Sequence, residues 1–254
     1  MSGSISSAHP SDAHDSPAPE SELDTSPLDN PIWYALTGEH AHFAVGNGLA
    51  RRYPPTIGPL SGMPDTSPAS YEDLRALAGS GGIVGLFLQD APAPPPGWRT
   101  VRDGTMYQMI SLDASRMAPQ SLAPGAEIVP LTAADNSTMV ELARLTEPGP
   151  FHERTAELGS FFGIRESGRL LAMAGERLRF PKFVEVSAVC THPDARGRGY
   201  GAALTAFVAN HIRQGGKTPI LHLFAANRQA FRVYERIGFT VRRTLELAIL
   251  RNEA

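Results

Sequence analysis

Between residues 196 and 201 the chain reads Arg-Gly-Arg-Gly-Tyr-Gly, with three glycines at alternate positions. An apolar run, Phe183–Cys190, precedes it and predicts a strand. After it, Leu204, Phe207, Val208 and Ile212 share one stripe of a 3.6-residue period, which predicts a helix over Gly201–Arg213. Glycines let a backbone come close to a ligand and gather successive N–H groups into one concavity. A helix start adds partial positive charge at the same place. Strand, glycine turn and helix N-terminus in this order form a cradle for a pyrophosphate.

Other readings of the same residues compete. A solvent-facing glycine turn would cost stability without a structural return. Gly197, Gly199 and Ala202 formally satisfy a dinucleotide fingerprint, G-x-G-x-x-A. That fingerprint needs an acidic residue about 20 positions on for the ribose. No Asp or Glu lies between Asp194 and Glu235. An isolated Arg-Gly-Arg-Gly can touch RNA, but here it has neither repeats nor basic surroundings.

The remaining chain divides into three parts. Residues 1–29 are rich in Ser, Pro, Asp and Ala and predict a disordered tail. Residues 30–118 hold a helix at Tyr71–Ala78, a buried strand at Ile83–Leu88, a stiff loop at 91–97 and a strand at Met106–Ser111. Residues 119–254 alternate strands and helices and predict an α/β domain with a mixed sheet. In this part Asp135 or Ser137 is expected to cap a helix through Met139, Leu142 and Leu145. Ser167-Gly168 joins a hairpin, Gly215 closes the 201–213 helix in the left-handed conformation, and Asn227 caps a helix whose inner face is Ala230, Phe231 and Tyr234.

Composition narrows the function. A net charge of −3 argues against a nucleic-acid or membrane partner. No apolar run approaches the length of a membrane span. The N-terminus lacks a secretory signal pattern, and one cysteine, Cys190, fits a reducing compartment. A cytoplasmic location is the expectation. No His, Cys and Asp cluster has metal-ligand spacing, so no metal is expected.

Arg196-x-x-Gly199-x-Gly201 resembles the Arg/Gln-x-x-Gly-x-Gly/Ala signature of the GNAT acetyltransferase superfamily. The stretches EVSAVCTHPDARGRGYG and NRQAFRVYERIGF resemble two blocks of that family in order and spacing, and the likeness covers about residues 125–254. With TEPGPFHERT at 146–155, the chain looks similar to the branch of glycine N-acyltransferase-like proteins. The resemblance implies a GNAT fold with a mixed, mostly antiparallel sheet, and acetyl-CoA as co-substrate. Backbone amides of Gly197 to Gly201, with Ala202, would hold the pyrophosphate beside Arg196 and Arg198. It also implies a second, degenerate copy of the fold in residues 30–118. An extension completing one sheet, or a homodimer interface, is the alternative.

Acetyl transfer to an amine needs a route for the amine's proton, a donor for the thioester oxygen and a proton for the leaving sulfur. Glu185 lies eleven positions ahead of Arg196, the spacing of the family's strand glutamate base. Burial in FVEVSAVC would raise its pKa, and a salt-bridged glutamate is the plain alternative. By resemblance, the Val189 N–H receives the thioester carbonyl, and Val189 or Thr191 pairs with the pantetheine arm. The same resemblance makes Tyr234 the acid for the sulfur, and its ring can also pack in the core. Asn227 can cap its helix and hydrogen-bond pantetheine. Cys190 reads as a buried strand cysteine and His222 as a packed strand histidine that could border the acceptor pocket. Phe151 is a candidate apolar wall and Arg154 a candidate carboxylate ligand for the acceptor, with a surface salt bridge as the alternative. The expected activity is N-acetylation of a small amine or amino-acid-like acceptor. A CoA-binding module without catalysis is the other reading.

Overall fold

The computed structural model describes residues 23–90, 93–113, 115 and 122–254. The expected tail, the 91–97 loop and the 118/119 boundary therefore lie partly outside the described residues. The elements in chain order are α1 (Pro31–Thr37), β1 (Arg51–Arg52), β2 (Ser61–Gly62), α2 (Pro68–Ala78), β3 (Ile83–Leu88), β4 (Trp98–Ile110), β5 (Ala126–Leu131) and α3 (Asn136–Thr146). They continue with β6 (Phe161–Glu166), β7 (Arg169–Phe180), β8 (Phe183–Thr191), α4 (Tyr200–Gln214), β9 (Thr218–Phe224), α5 (Arg228–Arg236) and β10 (Thr240–Asn252).

Eight strands form one sheet in the order β3-β10-β4-β9-β8-β7-β6-β5. Every neighbouring pair is antiparallel except β8 and β9, which run parallel. The sheet draws on both halves of the sequence, since β4 lies between β10 and β9. Helix α4 crosses from β8 to β9 and packs on β6, β7, β8 and β9, as a crossover between parallel strands must.

Strand alternation sorts the side chains onto two cores. Val184, Val186, Leu221, Leu223 and Met109 face α4 with Leu204, Val208 and Ile212. Phe183, Ile220, Met106 and Ile110 face the opposite way, onto Ile32, Ala35 and Leu36 of α1 and onto Tyr53 and Ile57. Burying each of these large side chains stabilises the fold by about 1.5–3 kcal/mol. By the same alternation, Glu185, His222 and Gln108 lie on the α1 side.

Several local expectations need correction. Within the expected tail, Ser26–Asp29 form a 3-10 turn with Leu28 fully buried. The tail's single large side chain there finds a slot in the α1-side core, and Gln108 Nε2 donates to its carbonyl at 2.8 Å. Leu145 is exposed, because the buried stripe of α3 is Met139, Leu142 and Ala143. The turn before α3 is closed by a Thr132/Asp135 capping box, while Asp135 also pairs with Arg165 at 2.6 Å. Gly215 has φ −78°, and it is Gly216, at φ 74°, that takes the left-handed position after α4.

Candidate active site

Two β-bulges shape the middle of the sheet. On β7, Arg177 and Leu178 stand opposite the single residue Glu185 of β8, between the pairs Glu176↔Val186 and Arg179↔Val184. On β8, Ala188 and Val189 stand opposite Ala174, between Gly175↔Ser187 and Met173↔Cys190. Ala188 takes φ 52° to make this second bulge. On its other side β8 pairs with β9 only from Phe183↔Thr218 to Glu185↔Ile220. Beyond Glu185 the two parallel strands part, and Ser187 to Thr191 lie at the mouth of the gap.

The glycine loop sits at that mouth. Gly197 and Gly199 have φ 80° and 79°, flanking Arg198, and Gly199 is the residue ahead of α4. The left-handed φ gives both glycines a structural reason as well as a binding one, which the sequence argument did not allow for. A Cβ at either would meet no atom within 4 Å, so the space over the loop is open. A Cβ at Gly201 would make ordinary contact with Thr191 Oγ1 at 3.7 Å and Val189 Cγ1 at 3.8 Å. The start of α4 thus rests on the bulged end of β8. Open loop, exposed Arg196 and a 15-residue helix behind it suit a diphosphate. Arg198 Nη1 donates to Glu166 Oε2 at 2.9 Å and Nη2 reaches Asp194 O at 3.4 Å, so its guanidinium lies along the loop. Ala202 is half-buried against the α4-side core.

Glu185 departs from expectation. Its side chain is fully buried, yet its carboxyl is pulled down to about 2. Burial alone would raise it. The guanidinium of Arg177 overrides that effect, helped by His222 and the hydrogen bonds from both. Arg177 Nη2 donates to Oε1 at 2.6 Å and Nε to Oε2 at 2.8 Å, a bidentate clasp. The Leu178 N–H approaches Oε2 at 3.4 Å, brought there by the same bulge. Of the two expected readings of Glu185, a strand base or a salt-bridged glutamate, its contacts are those of the inner half of an ion pair.

His222 completes the cluster. Its Nδ1 lies 2.8 Å from Glu185 Oε1 and its Nε2 lies 3.0 Å from Gln108 Nε2. Arg242 Nη1 donates to Gln108 Oε1 at 3.0 Å, and a guanidinium has only donors, so the amide nitrogen faces His222 and Leu28. That polarity makes Nε2 of His222 the acceptor and Nδ1 the donor to Glu185. The chain of bonds Arg242–Gln108–His222–Glu185–Arg177 spans five adjacent strands.

Two adjoining clefts, of about 290 and 270 Å³, meet at Pro150, Thr155 and Arg177. The first reaches Ser187 and Ala188 on the bulge of β8, with Phe151 and Phe161 as apolar wall. The second is walled by Tyr53 and residues 57–60. The 150–158 segment is tied to the 54–60 segment by Arg154 N–H to Thr56 O at 3.0 Å and Thr155 Oγ1 to Ile57 O at 2.6 Å. Beside the second cleft, Tyr53 Oη lies 2.8 Å from Nδ1 of buried His40, whose imidazole is held down to about 4 by burial.

Phe151 lines the first cleft, edge-on to Phe161 at 5.7 Å between ring centres. Arg154 lines neither cleft. Its guanidinium donates to both oxygens of Glu157, at 2.8 and 2.7 Å, on the exposed side of a 3-10 turn that stacks residues three apart. Asn227 caps α5, accepting from the Ala230 N–H at 3.1 Å. Tyr234 is half-buried with its ring against Phe239, and burial pushes its phenol up to about 12. Cys190 is buried and its thiol is raised to about 11, the state of a core residue. Among the described residues, no three His, Cys, Asp or Glu side chains are placed to hold a metal ion, and no helix is long and apolar enough to cross a membrane.

The sequence reading missed Arg177, Tyr53 and Gln108. Arg177 stands between Glu176 and Arg179 in LLAMAGERLRF, so the sequence alone does not single it out.

Residues 161–247 match the model of the FR47-like protein family. A solved structure described as an acetyltransferase of the GNAT family, from Novosphingobium aromaticivorans, is 39% identical, with a TM-score of 0.81 over 90% of this chain and 99% of that one. The chain belongs to the GNAT family of acetyltransferases. A GCN5-related N-acetyltransferase from Kribbella flavida shares the fold at 16% identity, TM-score 0.60, over 88% of this chain and 96% of that one. The mycothiol acetyltransferase of Thermomonospora curvata is 35% identical over 83 residues, which is 32% of this chain. The matched stretch spans 28% of that relative's length. This GNAT chain thus has the mixed, mostly antiparallel sheet of its family.

Proposed function

We propose that this GNAT chain transfers the acetyl group of acetyl-CoA to the amine of a small acceptor by direct attack on the thioester. The observation that carries this reading is the pair of left-handed glycines, Gly197 and Gly199, opening α4 at the gap between β8 and β9. Amides of the loop and the start of α4 hold the diphosphate, with Arg196, Arg198 and Ala202 around it. The arm runs along Val189 and Thr191, with Asn227 opposite. The Val189 N–H takes the charge that develops on the thioester oxygen.

In the reaction the amine nitrogen bonds to the carbonyl carbon, the carbon–sulfur bond breaks, and the amine's extra proton leaves to water. Tyr234 donates its hydroxyl hydrogen to the departing sulfur. A phenol near 12 stands about 3.5 units above an ordinary thiol, so full proton transfer to the thiolate would cost roughly 5 kcal/mol. Its contribution is a hydrogen bond, with water supplying the final proton. Glu185 serves by holding Arg177, whose fixed positive charge favours the uncharged form of an amine nearby. We place the chain beside the glycine N-acyltransferase-like branch on residues 146–155, which wall both clefts.

The test is release of free thiol from acetyl-CoA against a panel of amines and amino acids. Acceptor-dependent release supports the reading. Tight binding of acetyl-CoA with no release above background would leave a CoA-binding module without catalysis.

A further inference from the structure

Arg177 has more donors than Glu185 can use. A guanidinium carries five N–H groups, and Glu185 takes one from Nε and one from Nη2. Nη1 makes no hydrogen bond among the described residues, and Arg177 forms wall of both clefts with its side chain 16% exposed. The side-on edge of the fork is therefore spent inward, and the end-on edge, Nη1 with the second hydrogen of Nη2, is left for the clefts. Among the described residues, Arg177 is also the one side chain of fixed charge on either wall; the rest are apolar, hydroxyl or glycine. The charge of Glu185 is meanwhile divided among Arg177, His222 and the Leu178 N–H. A cleft so built offers no carboxylate to a second ammonium group, but it offers a preorganised pair of parallel donors to a planar anion.

The geometry points to Arg177 as the residue that selects the acceptor, and to an acceptor that carries a carboxylate beside its amine, as an α-amino acid does. The inference rests on the transferase reading above. The end-on edge clasps the carboxylate, the Phe151 and Phe161 wall or the 57–60 segment takes the side chain, and the amine is left to face Ser187 and Ala188. The bulge on β7 aims the guanidinium, and Glu185 fixes its rotation, so little freedom is lost on binding.

The experiment uses the full chain and matched acceptor sets: an amino acid, its carboxamide and its decarboxylated amine, each followed by thiol release and by calorimetry with CoA present. The expected result is a preference of about tenfold or more in kcat/KM for the carboxylate, expressed in KM. Arg177→Lys should shrink that ratio, and Glu185→Gln, which keeps the guanidinium, should retain most of it. Equal rates and affinities across each set, or a preference for diamines, would overturn the proposal while leaving the transferase reading intact. Absence of release with every acceptor would end the transferase reading, and the calorimetric comparison would still decide the role of Arg177.

Discussion

Arg177 faces Glu185 across a β-bulge that gives the shorter strand one residue where its neighbour has two. The bulge sets both Arg177 and Leu178 against that one residue, so its carboxylate meets the guanidinium and the Leu178 N–H together.

Removing the arginine should expose that dependence. Arg177→Met leaves the Glu185 carboxylate fully buried with only His222 and one distant amide, and should destabilise the protein by about 3–5 kcal/mol. Adding Glu185→Gln should recover much of the loss. Urea unfolding of the single and double variants measures both, and equal stability of Arg177→Met and the wild type would contradict the pairing described here.

Gly197 and Gly199 separate folding from binding. Alanine at either position pays about 1–2 kcal/mol for the left-handed backbone, with no steric clash to add. Gly199→Glu adds a negative side chain over the loop and should abolish affinity for acetyl-CoA. Calorimetry with retained nanomolar-to-micromolar binding in Gly199→Glu would remove the diphosphate from this loop.

Tyr234→Phe keeps the ring contact with Phe239 and removes only the hydroxyl. Thermal stability should stay near that of the wild type while kcat falls by about 10²-fold, the range for one hydrogen bond to charge that develops in the transition state. A variant with unchanged kcat would assign Tyr234 to packing alone.

Acid should act in two windows. His40 is held neutral in the fold, about 4 against an ordinary 6.5, so its contribution is present above pH 6.5 and is lost as pH falls toward 4. Glu185, held well below its ordinary 4.5 by Arg177 and His222, contributes stability above pH 4.5 that is lost as pH falls further. Denaturation midpoints measured from pH 7 to 3 should fall in both windows, and His40→Phe should flatten the upper one.

The glycine turn, the α4 stripe and the Asn227 cap were legible in the sequence because they are local patterns, written in residues three or four apart. The walls of the clefts were less legible because they are assembled across strands. A bulge changes register by one residue and leaves no mark in composition, so Arg177 could not be paired with Glu185 in advance. Arg154 had the right charge, but a neighbour three residues on claimed it. Tyr53 and residues 57–60 reach the clefts from a segment about a hundred residues away, tied to β3 by the Gly85 N–H, which donates to Pro59 O at 2.8 Å.

The line of bonds from Arg242 to Arg177 has a further end. Arg242 also donates to Thr25 O and pairs with Asp29, and Leu28 gives its carbonyl to Gln108. The few residues ahead of α1 are therefore a latch on the cluster beneath the clefts. Trimming the protein at residue 30, as its low-complexity opening invites, would cut through the support of the Arg177 guanidinium.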